Sequence, residues 1–222
     1  GLFIRVRDDQ PAEQIEASVA AADAYSVNYV GIDLSLDGFA IESVSGDPQT
    51  FKAAVAAARA ASQRPLILIS QDPDVIAAGL DGLDGKGVLI YTANGENWER
   101  MAALAKESGA ALSVAGQSLE ALADLTEKIK GAGVEDLVMD PGTRGFSSML
   151  AYSTQIRRLA LKKNFRALGY PTIVFPGDAG DPAVESMLAT QAITKYAGFI
   201  VLDHFSPQTV YPLLVLRQNI YT

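Results

Sequence analysis

The regular alternation of short aliphatic runs with longer alanine-rich segments of helical period is the feature that most constrains this chain. Such an alternation is typical of βαβ units, in which parallel strands are joined by crossover helices. Some runs are apolar on both faces, as strands covered on both sides must be. The eight strand candidates are Leu2–Val6, Tyr29–Leu34, Pro65–Ile69, Val88–Tyr91, Ala111–Ala115, Leu137–Asp140, Thr172–Phe175 and Phe199–Leu202.

Each strand candidate is followed by a helix candidate, and four of these helices have a marked N-terminus. There an Asp or Ser side chain suited to capping precedes a proline suited to the first helical turn. These pairs are Asp47-Pro48, Asp72-Pro73, Asp181-Pro182 and Ser206-Pro207. The helix candidates are Pro11–Tyr25, Pro48–Ala61, Pro73–Leu80, Asn97–Ser108, Leu119–Gly131, Ser147–Asn164, Pro182–Tyr196 and Pro207–Gln218.

The number of units predicts the fold. Eight βα units in 222 residues give roughly 28 residues each, at the compact end of the range of (β/α)8 TIM barrels. The alternative is a doubly wound open sheet, but no G-x-G-x-x-G motif follows the first strand candidate. No linker or change of composition divides the chain. We therefore predict an α/β TIM barrel that forms a single domain over residues 1–222.

Charge and residue counts exclude several classes of partner and cofactor. The net charge of −8 repels phosphate backbones and anionic membrane surfaces, so we expect neither a nucleic acid nor a membrane partner. The absence of cysteine excludes a thiolate-bound zinc and an iron–sulfur cluster within this chain, and a single histidine leaves no His-rich metal site. Without a membrane-length apolar run or a signal peptide, the chain is expected to be cytoplasmic.

In a TIM barrel, binding and catalytic side chains come from the C-terminal ends of the strands and from the loops after them. Asp140 at a strand end is suited to hold an amidine-like ring edge through two hydrogen bonds, or alternatively to cap its own loop and pair with Arg144. The adjacent Asp203 and His204 fit either an acid–base dyad or a structural pair. The candidate ligand residues at the barrel mouth are Asp140, Thr143, Arg144, Asn94, Asp178, Asp203 and His204.

The sixth helix candidate carries a basic stretch that suggests a partner surface. Such a stretch is either a solvated face or a docking surface for an acidic partner. Aromatic and arginine side chains are favoured at interface centres, although the rings here have the alternative of packing on the barrel. The basic residues are Arg157, Arg158, Lys162, Lys163 and Arg166, and the candidate interface is formed by Tyr152, Arg157, Arg158 and Phe165.

Several motifs resemble one known family over nearly the whole chain. The most specific are Gly-Tyr-Pro-Thr-Ile at 169–173 and Arg-Gln-Asn-Ile-Tyr-Thr at 217–222. Asp-Pro-Gly-Thr-Arg at 140–144, Glu-Asn-Trp at 96–98 and Thr-Gln-Ile-Arg-Arg at 154–158 add to them. Together these motifs resemble the large (gamma) subunit of the corrinoid/iron–sulfur protein, a component of the acetyl-CoA synthase/decarbonylase system.

The resemblance implies a domain organisation and a role. The family's large subunit has an N-terminal domain that holds a [4Fe–4S] cluster, a central TIM barrel and a C-terminal corrinoid-binding domain. This chain resembles the barrel alone, so we expect it to be a fragment without the two cofactor domains. The intact subunit is implied to carry a methyl group on cobalamin from methyl-tetrahydropterin to acetyl-CoA synthase, in the Wood–Ljungdahl pathway. Its implied partners are a small (delta) subunit and, transiently, a pterin methyltransferase and acetyl-CoA synthase.

Related pterin-binding barrels provide a further comparison. Dihydropteroate synthase and the methyltetrahydrofolate:corrinoid methyltransferases hold the pterin with an Asp, an Asn and a second Asp, after the third, fourth and sixth barrel strands. The resemblance keeps the last of these as Asp140 but places Ile69 and Tyr91 at the other two, and neither side chain pairs with the ring in the same way. This implies a scaffold that is not itself catalytic. The alternatives are a pterin- or corrinoid-dependent methyltransferase that uses Asp140, Asn94 and Asp178, and a ligand site at the mouth without turnover.

Overall fold

Strands and helices alternate along residues 1–221, which are the residues that the computed structural model describes. Two short 3-10 turns, at Arg166–Leu168 and Pro176–Ala179, interrupt the alternation. The other elements are β1 (Leu2–Arg7), α1 (Ala12–Asp23), β2 (Ser26–Tyr29), β3 (Ile32–Ser35), β4 (Gly38–Glu42), α2 (Pro48–Ala61), β5 (Leu66–Ile69), α3 (Pro73–Leu80), β6 (Val88–Ala93), α4 (Trp98–Ser108), β7 (Ala111–Ala115), α5 (Leu119–Gly131), β8 (Leu137–Asp140), α6 (Phe146–Lys162), β9 (Ile173–Val174), α7 (Pro182–Thr194), β10 (Phe199–Leu202) and α8 (Pro207–Ile220).

Eight of these strands form a parallel barrel. Their order is β8-β7-β6-β5-β4-β1-β10-β9, and every neighbouring pair is parallel. The two ends of this order meet, because a parallel bridge joins Met139 in β8 to Thr172 just before β9. The Met139 amide also donates to the Pro171 carbonyl at 2.8 Å. The predicted (β/α)8 TIM barrel is therefore confirmed.

The second strand candidate, Tyr29–Leu34, is wrong. Its residues belong to an antiparallel hairpin of β2 and β3, whose turn at Val30 and Gly31 has φ values of 51° and 82°. Turns of this kind favour glycine, which adopts positive φ without steric cost. The barrel strand is β4, which begins at Gly38, where a β-carbon would lie 2.2 Å from the Pro65 carbonyl oxygen. Only a glycine allows the two neighbouring chains to approach so closely there.

The four predicted helix starts are confirmed. In each case the side chain before the proline accepts a hydrogen bond from a backbone amide of the first turn, which satisfies one of the donors that a helix leaves unpaired. Because each cap follows a barrel strand by a few residues, it also fixes the loop at the mouth. The bonds run from Thr50 to Asp47, from Asp74 to Asp72, from Ala183 and Val184 to Asp181, and from Thr209 to Ser206.

Two apolar layers support the barrel. The outer layer lies between the strands and the helices, and the inner layer fills the barrel with side chains such as Phe3, Ile67 and Val201. Along β1 the inward-facing positions pass from Phe3 to Arg5 and Arg7, because alternate residues of a strand share a face. The apolar filling therefore ends below the mouth, and a charged layer takes its place.

Asp8 joins the loops after β1 and β4. It is 3% exposed, and its carboxylate accepts bonds from the Ser43 hydroxyl, the Val44 amide, and the amide and hydroxyl of Ser45, at 2.6 to 3.0 Å. Burial opposes its ionisation, but the bonds from Ser45, Val44 and Ser43 outweigh burial and lower the pKa of Asp8 below its usual value. The ionised carboxylate therefore stabilises this part of the mouth.

We expect Asp8→Ala to lower the free energy of unfolding by about 1–3 kcal/mol at neutral pH, because four donors lose their acceptor. Asp8→Asn is expected to cost less, since its amide oxygen still accepts. Because the folded pKa is the lower one, the contribution of the carboxylate is complete above the unfolded pKa of about 3.9 and is lost as the pH falls through the folded value. Urea denaturation at neutral and acidic pH measures this, and an equal deficit of Asp8→Ala at both would contradict it.

Candidate functional site

The mouth of the barrel is filled by a network of ionised side chains. The side chain of Arg5 is 5% exposed and contacts Asp203 at 2.5 Å and Asp178 at 2.8 Å. Arg7 contacts Glu42 at 3.0 Å and the second oxygen of Asp203 at 2.7 Å. These contacts link the ends of β1, β4 and β10 and the turn after β9. The network thus occupies the place where a TIM barrel usually binds its ligand.

The pKa shifts in this network follow from burial and from the partners. Burial disfavours the charge of Arg5, but Asp203, Glu42 and Asp178 outweigh it and raise the pKa of Arg5. Burial likewise opposes ionisation of Asp203, but the hydrogen bonds from Arg5 and Arg7 hold the pKa of Asp203 below its usual value. Arg5 and Asp203 therefore stay charged because their partners stabilise the charges. Such an arrangement is typical of a structural ion network and not of a group that exchanges protons.

Asp140 lies at the end of β8, is 2% exposed, and has both oxygens occupied. One oxygen accepts from the Tyr91 hydroxyl at 2.6 Å and from Arg144 Nη2 at 2.9 Å. The other accepts from the Gly142 amide at 2.7 Å and lies 3.3 Å from Arg144 Nη1. In the structure, Asp140 thus caps its own loop and pairs with Arg144, which is the second of the two interpretations given above.

Tyr91 and Arg144 are themselves fixed from several sides. The rings of Tyr91 and Phe175 have centroids 4.8 Å apart, and the Arg144 guanidinium carbon lies 4.9 Å from the Phe175 centroid. Arg144 also contacts Asp178 at 2.9 Å. Burial and the Asp140 carboxylate raise the pKa of Tyr91, so its hydroxyl stays a donor. Burial opposes the charge of Arg144, but Asp140 outweighs it and raises the pKa of Arg144.

Asn94, the nearest amide to the fourth-strand position of pterin-binding barrels, is part of a turn. Its side-chain oxygen accepts from the amides of Glu96 at 2.8 Å and Asn97 at 3.2 Å, while its own amide donates to the Asn97 side chain at 2.7 Å. The Asn97 side-chain amide in turn donates to the backbone carbonyls of Gln71 and Thr92. Asn94 therefore has a local structural task that orders the loop after β6.

The predicted pairing of Asp203 with His204 is not present. Asp203 points into the barrel toward the arginines, whereas His204 Nδ1 lies 2.5 Å from Glu185 of α7. Glu185 is 3% exposed and also accepts from the Asp203 amide at 2.5 Å. Glu185 is not among the candidate residues predicted from the sequence. Its position on the apolar face of α7 is the sequence signal that indicates a buried acidic side chain. The alternation of Phe3, Arg5 and Arg7 along β1 is the corresponding signal for the ionic network at the mouth.

A cleft of about 1080 Å³ lies beside the mouth, between α5 and α6. Asn94, Thr143 and Tyr152 line it, together with Gln117 and the glycines after β7 and β8. The Thr143 hydroxyl is buried and has no hydrogen-bond partner among residues 1–221. The candidate mouth residues thus divide into two groups. Asp140, Arg144, Asp178 and Asp203 share the ionic network, whereas Asn94 and Thr143 face the cleft and His204 lies apart from both.

The candidate partner interface also divides. Arg157 and Arg158 line a groove of about 370 Å³ between α6 and the end of α7, whereas Tyr152 faces the cleft on the other side of α6. Phe165 is 41% exposed just beyond the C-terminal end of α6. Tyr152 therefore does not share a surface with the two arginines, and the structure groups Arg157 and Arg158 with Tyr196 instead.

The described part of the chain offers no obvious place for a metal. No three His, Cys, Asp or Glu side chains in residues 1–221 lie close enough to hold an ion, and the sequence has no cysteine. Nor is any helix of residues 1–221 both long and apolar enough to cross a membrane.

Solved structures share this fold at low sequence identity. A dihydropteroate synthase from Thermus thermophilus superposes with a TM-score of 0.64 at 20% identity, covering 99% of this chain and 94% of that one. The enzyme from Coxiella burnetii, in complex with pteroic acid, gives 0.67 at 12% identity, covering 99% and 92%. At these identities the likeness establishes the fold alone.

Comparisons of sequence identify the family. The corrinoid/iron-sulfur protein large subunit of Moorella thermoacetica is 43% identical over the whole of this chain and 49% of its own length. The acetyl-CoA decarbonylase/synthase complex subunit gamma of Archaeoglobus fulgidus is 30% identical, covering 100% of this chain and 50% of that protein. The chain thus spans about half the length of these relatives. Since the family model described as CO dehydrogenase/acetyl-CoA synthase delta subunit matches residues 1–222, the chain belongs to that family.

Proposed function

We propose that this chain is the scaffold barrel of a corrinoid/iron–sulfur methyl carrier, which takes a methyl group from methyl-tetrahydropterin to acetyl-CoA synthase. The names of the relatives supply the context for this role. The observation that carries the scaffold role is the occupancy of Asp140 by Tyr91 and Arg144 from within the chain. A carboxylate whose acceptor sites are filled has none left for a pterin ring.

Opening Asp140 to a ligand has a high energetic cost. The ligand has to displace the Tyr91 hydroxyl and the Arg144 guanidinium, and the arginine then leaves its contact with Asp178. The buried Asp140 carboxylate then loses the cation that compensates its charge, whereas a neutral ring edge returns hydrogen bonds without a compensating charge. The closed arrangement therefore wins.

The cofactors implied for the intact subunit, cobalamin and a [4Fe–4S] cluster, do not fit the residues of this barrel. A cluster requires thiolates, and the chain has no cysteine. The ionic network fills the barrel mouth, and the one histidine, His204, is held by Glu185. We therefore assign both cofactors to the half of the relatives' length that this chain does not cover.

The task of the barrel in this proposal is mechanical. The network of Arg5, Arg7 and Arg144 fixes the loops at the mouth, and the outer helices present rigid surfaces to other parts of the assembly. We propose a small subunit as the stable partner, with a pterin methyltransferase and acetyl-CoA synthase as transient ones. A cytoplasmic location accords with those partners.

A second candidate function is a pterin- or corrinoid-dependent methyltransferase with its own site at the mouth. The cleft between α5 and α6, with the unpartnered Thr143 hydroxyl, is the observation that favours a ligand there. Against it, Asn94 accepts hydrogen bonds within its own turn, Asp178 pairs with Arg144 and Asp140 is occupied by Tyr91 and Arg144, so all three of its proposed polar groups are engaged. Ligand binding separates the two functions.

We expect methyltetrahydrofolate to bind this chain roughly one to two orders of magnitude more weakly than it binds a barrel with all three pterin anchors, since each lost hydrogen bond removes about 0.5–1.5 kcal/mol. Isothermal titration calorimetry measures this, with a methyltetrahydrofolate methyltransferase as the reference. Tyr91→Asn, which removes one donor from Asp140 and adds an amide beside it, is expected to strengthen binding. Micromolar binding to the wild type that disappears in Asp140→Ala would favour the methyltransferase.

We expect Arg144→Ala to lower the free energy of unfolding by about 1.5–3 kcal/mol, because the buried Asp140 loses its cation but keeps its hydrogen bonds from Tyr91 and Gly142. Arg100→Ala is a matched control, since Arg100 pairs with Asp74 where both side chains are exposed. It is expected to leave the midpoint of denaturation unchanged. Equal effects of the two substitutions on the urea midpoint would show that the network does not stabilise the mouth.

A further inference from the structure

The groove between α6 and α7 collects cations that pair with no carboxylate among residues 1–221. Arg157, Arg158, Lys162 and Lys195 line it, and the exposed Lys163 and Arg166 follow α6 in the sequence. Among residues 1–221, none of these six side chains contacts a carboxylate. The chain as a whole carries a net charge of −8. A local excess of positive charge on an acidic protein creates a field suited to an acidic partner.

Tyr196 lies at the end of this groove in an unusual conformation. Its φ is 63°, in the left-handed region that helices usually assign to glycine just after their last turn. The ring is 49% exposed, and the guanidinium carbon of Arg157 lies 4.1 Å from its centroid. This contact is a cation–π interaction that positions the Arg157 guanidinium over the ring. Residue 196 is therefore a tyrosine at a backbone conformation that glycine would adopt without steric strain.

Apolar side chains lie within the same basic surface. Leu161 in the groove is 71% exposed, and Phe165 beyond α6 is 41% exposed. Arginine and tyrosine with apolar neighbours are the composition of a protein interface centre. The surface extends from α6 and the residues just beyond it to the end of α7, and this area is larger than one small anion covers. Its occupant is therefore a protein surface, since the net negative charge of the chain disfavours a nucleic acid.

We propose that this surface, formed by Arg157, Arg158, Leu161, Lys162, Lys195 and Tyr196, docks an acidic patch of a partner protein, with the stacked Arg157–Tyr196 pair at its centre. The inference rests on the proposed function, because the small subunit is the partner with which it is tested. Tyr152 lies outside this surface.

The experiment uses the full-length subunit that contains this barrel and its small subunit. Arg157→Glu with Arg158→Glu is the test variant, and Lys86→Glu with Lys130→Glu is the control, which changes the net charge equally at two exposed lysines without carboxylate partners. We expect the test variant to bind the small subunit at least about tenfold more weakly, with a shallower dependence on salt, and the control to bind as the wild type does.

Tyr196→Gly separates binding from folding. Glycine adopts the backbone conformation of residue 196 without strain, which offsets the loss of the ring contacts with Tyr221 and Arg157. The melting temperature is therefore expected to stay close to that of the wild type while affinity falls. Wild-type affinity in both Tyr196→Gly and the double arginine variant would overturn the docking surface while the proposed function stands.

Two further outcomes are distinct from this one. Absence of binding between the wild-type subunit and the small subunit would overturn the proposed function and the surface together. Binding of a short DNA duplex by the wild type, abolished by the double arginine variant, would overturn the assignment to a protein partner.

Discussion

The pairing of Asp140 with Arg144 and Tyr91 is the interaction on which the rest of the mouth depends. A carboxylate with 2% exposure is stable only when a cation compensates its charge and donors occupy its oxygens. This chain supplies all of these groups itself. Arg144 also pairs with Asp178, and Asp178 pairs with Arg5. The buried charge of Asp140 therefore influences the arrangement of the whole chain of ion pairs.

This self-compensation separates the fold from the chemistry that the fold usually supports. The ends of barrel strands normally leave polar groups unpaired so that a ligand completes them. Here three arginines, Arg5, Arg7 and Arg144, neutralise carboxylates from the surrounding strand ends and turns, and the apolar face of Phe175 lies against Arg144. The charges at the mouth are thus balanced by groups of this chain. In the proposed scaffold role, association with other proteins uses the outer helices, where basic side chains without carboxylate partners among residues 1–221 remain.

Local sequence signals predict the fold, whereas contacts between residues distant in sequence account for the site pairings that the sequence does not predict. Helix caps and strand ends depend on a few adjacent residues, and all four predicted caps are present. The hairpin at Gly31 was mistaken for a strand because its apolar residues continue through the turn. Asp203 and His204 are adjacent in sequence, but they lie in the loop after β10, where one pairs inside the barrel and the other with Glu185. Partners that are distant in sequence leave no periodic signal.

The distribution of charge outside the barrel is the last constraint. Paired cations such as Arg64 and Arg217 lie against carboxylates of this acidic chain, whereas those on α6 do not. Stability does not require a basic cluster there, because cations that share one surface repel one another. Position 196 has a left-handed backbone conformation that glycine adopts freely, and its tyrosine ring packs on Tyr221 and Arg157. The basic cluster is therefore the feature of this surface that folding does not explain, and the proposed acidic partner accounts for it.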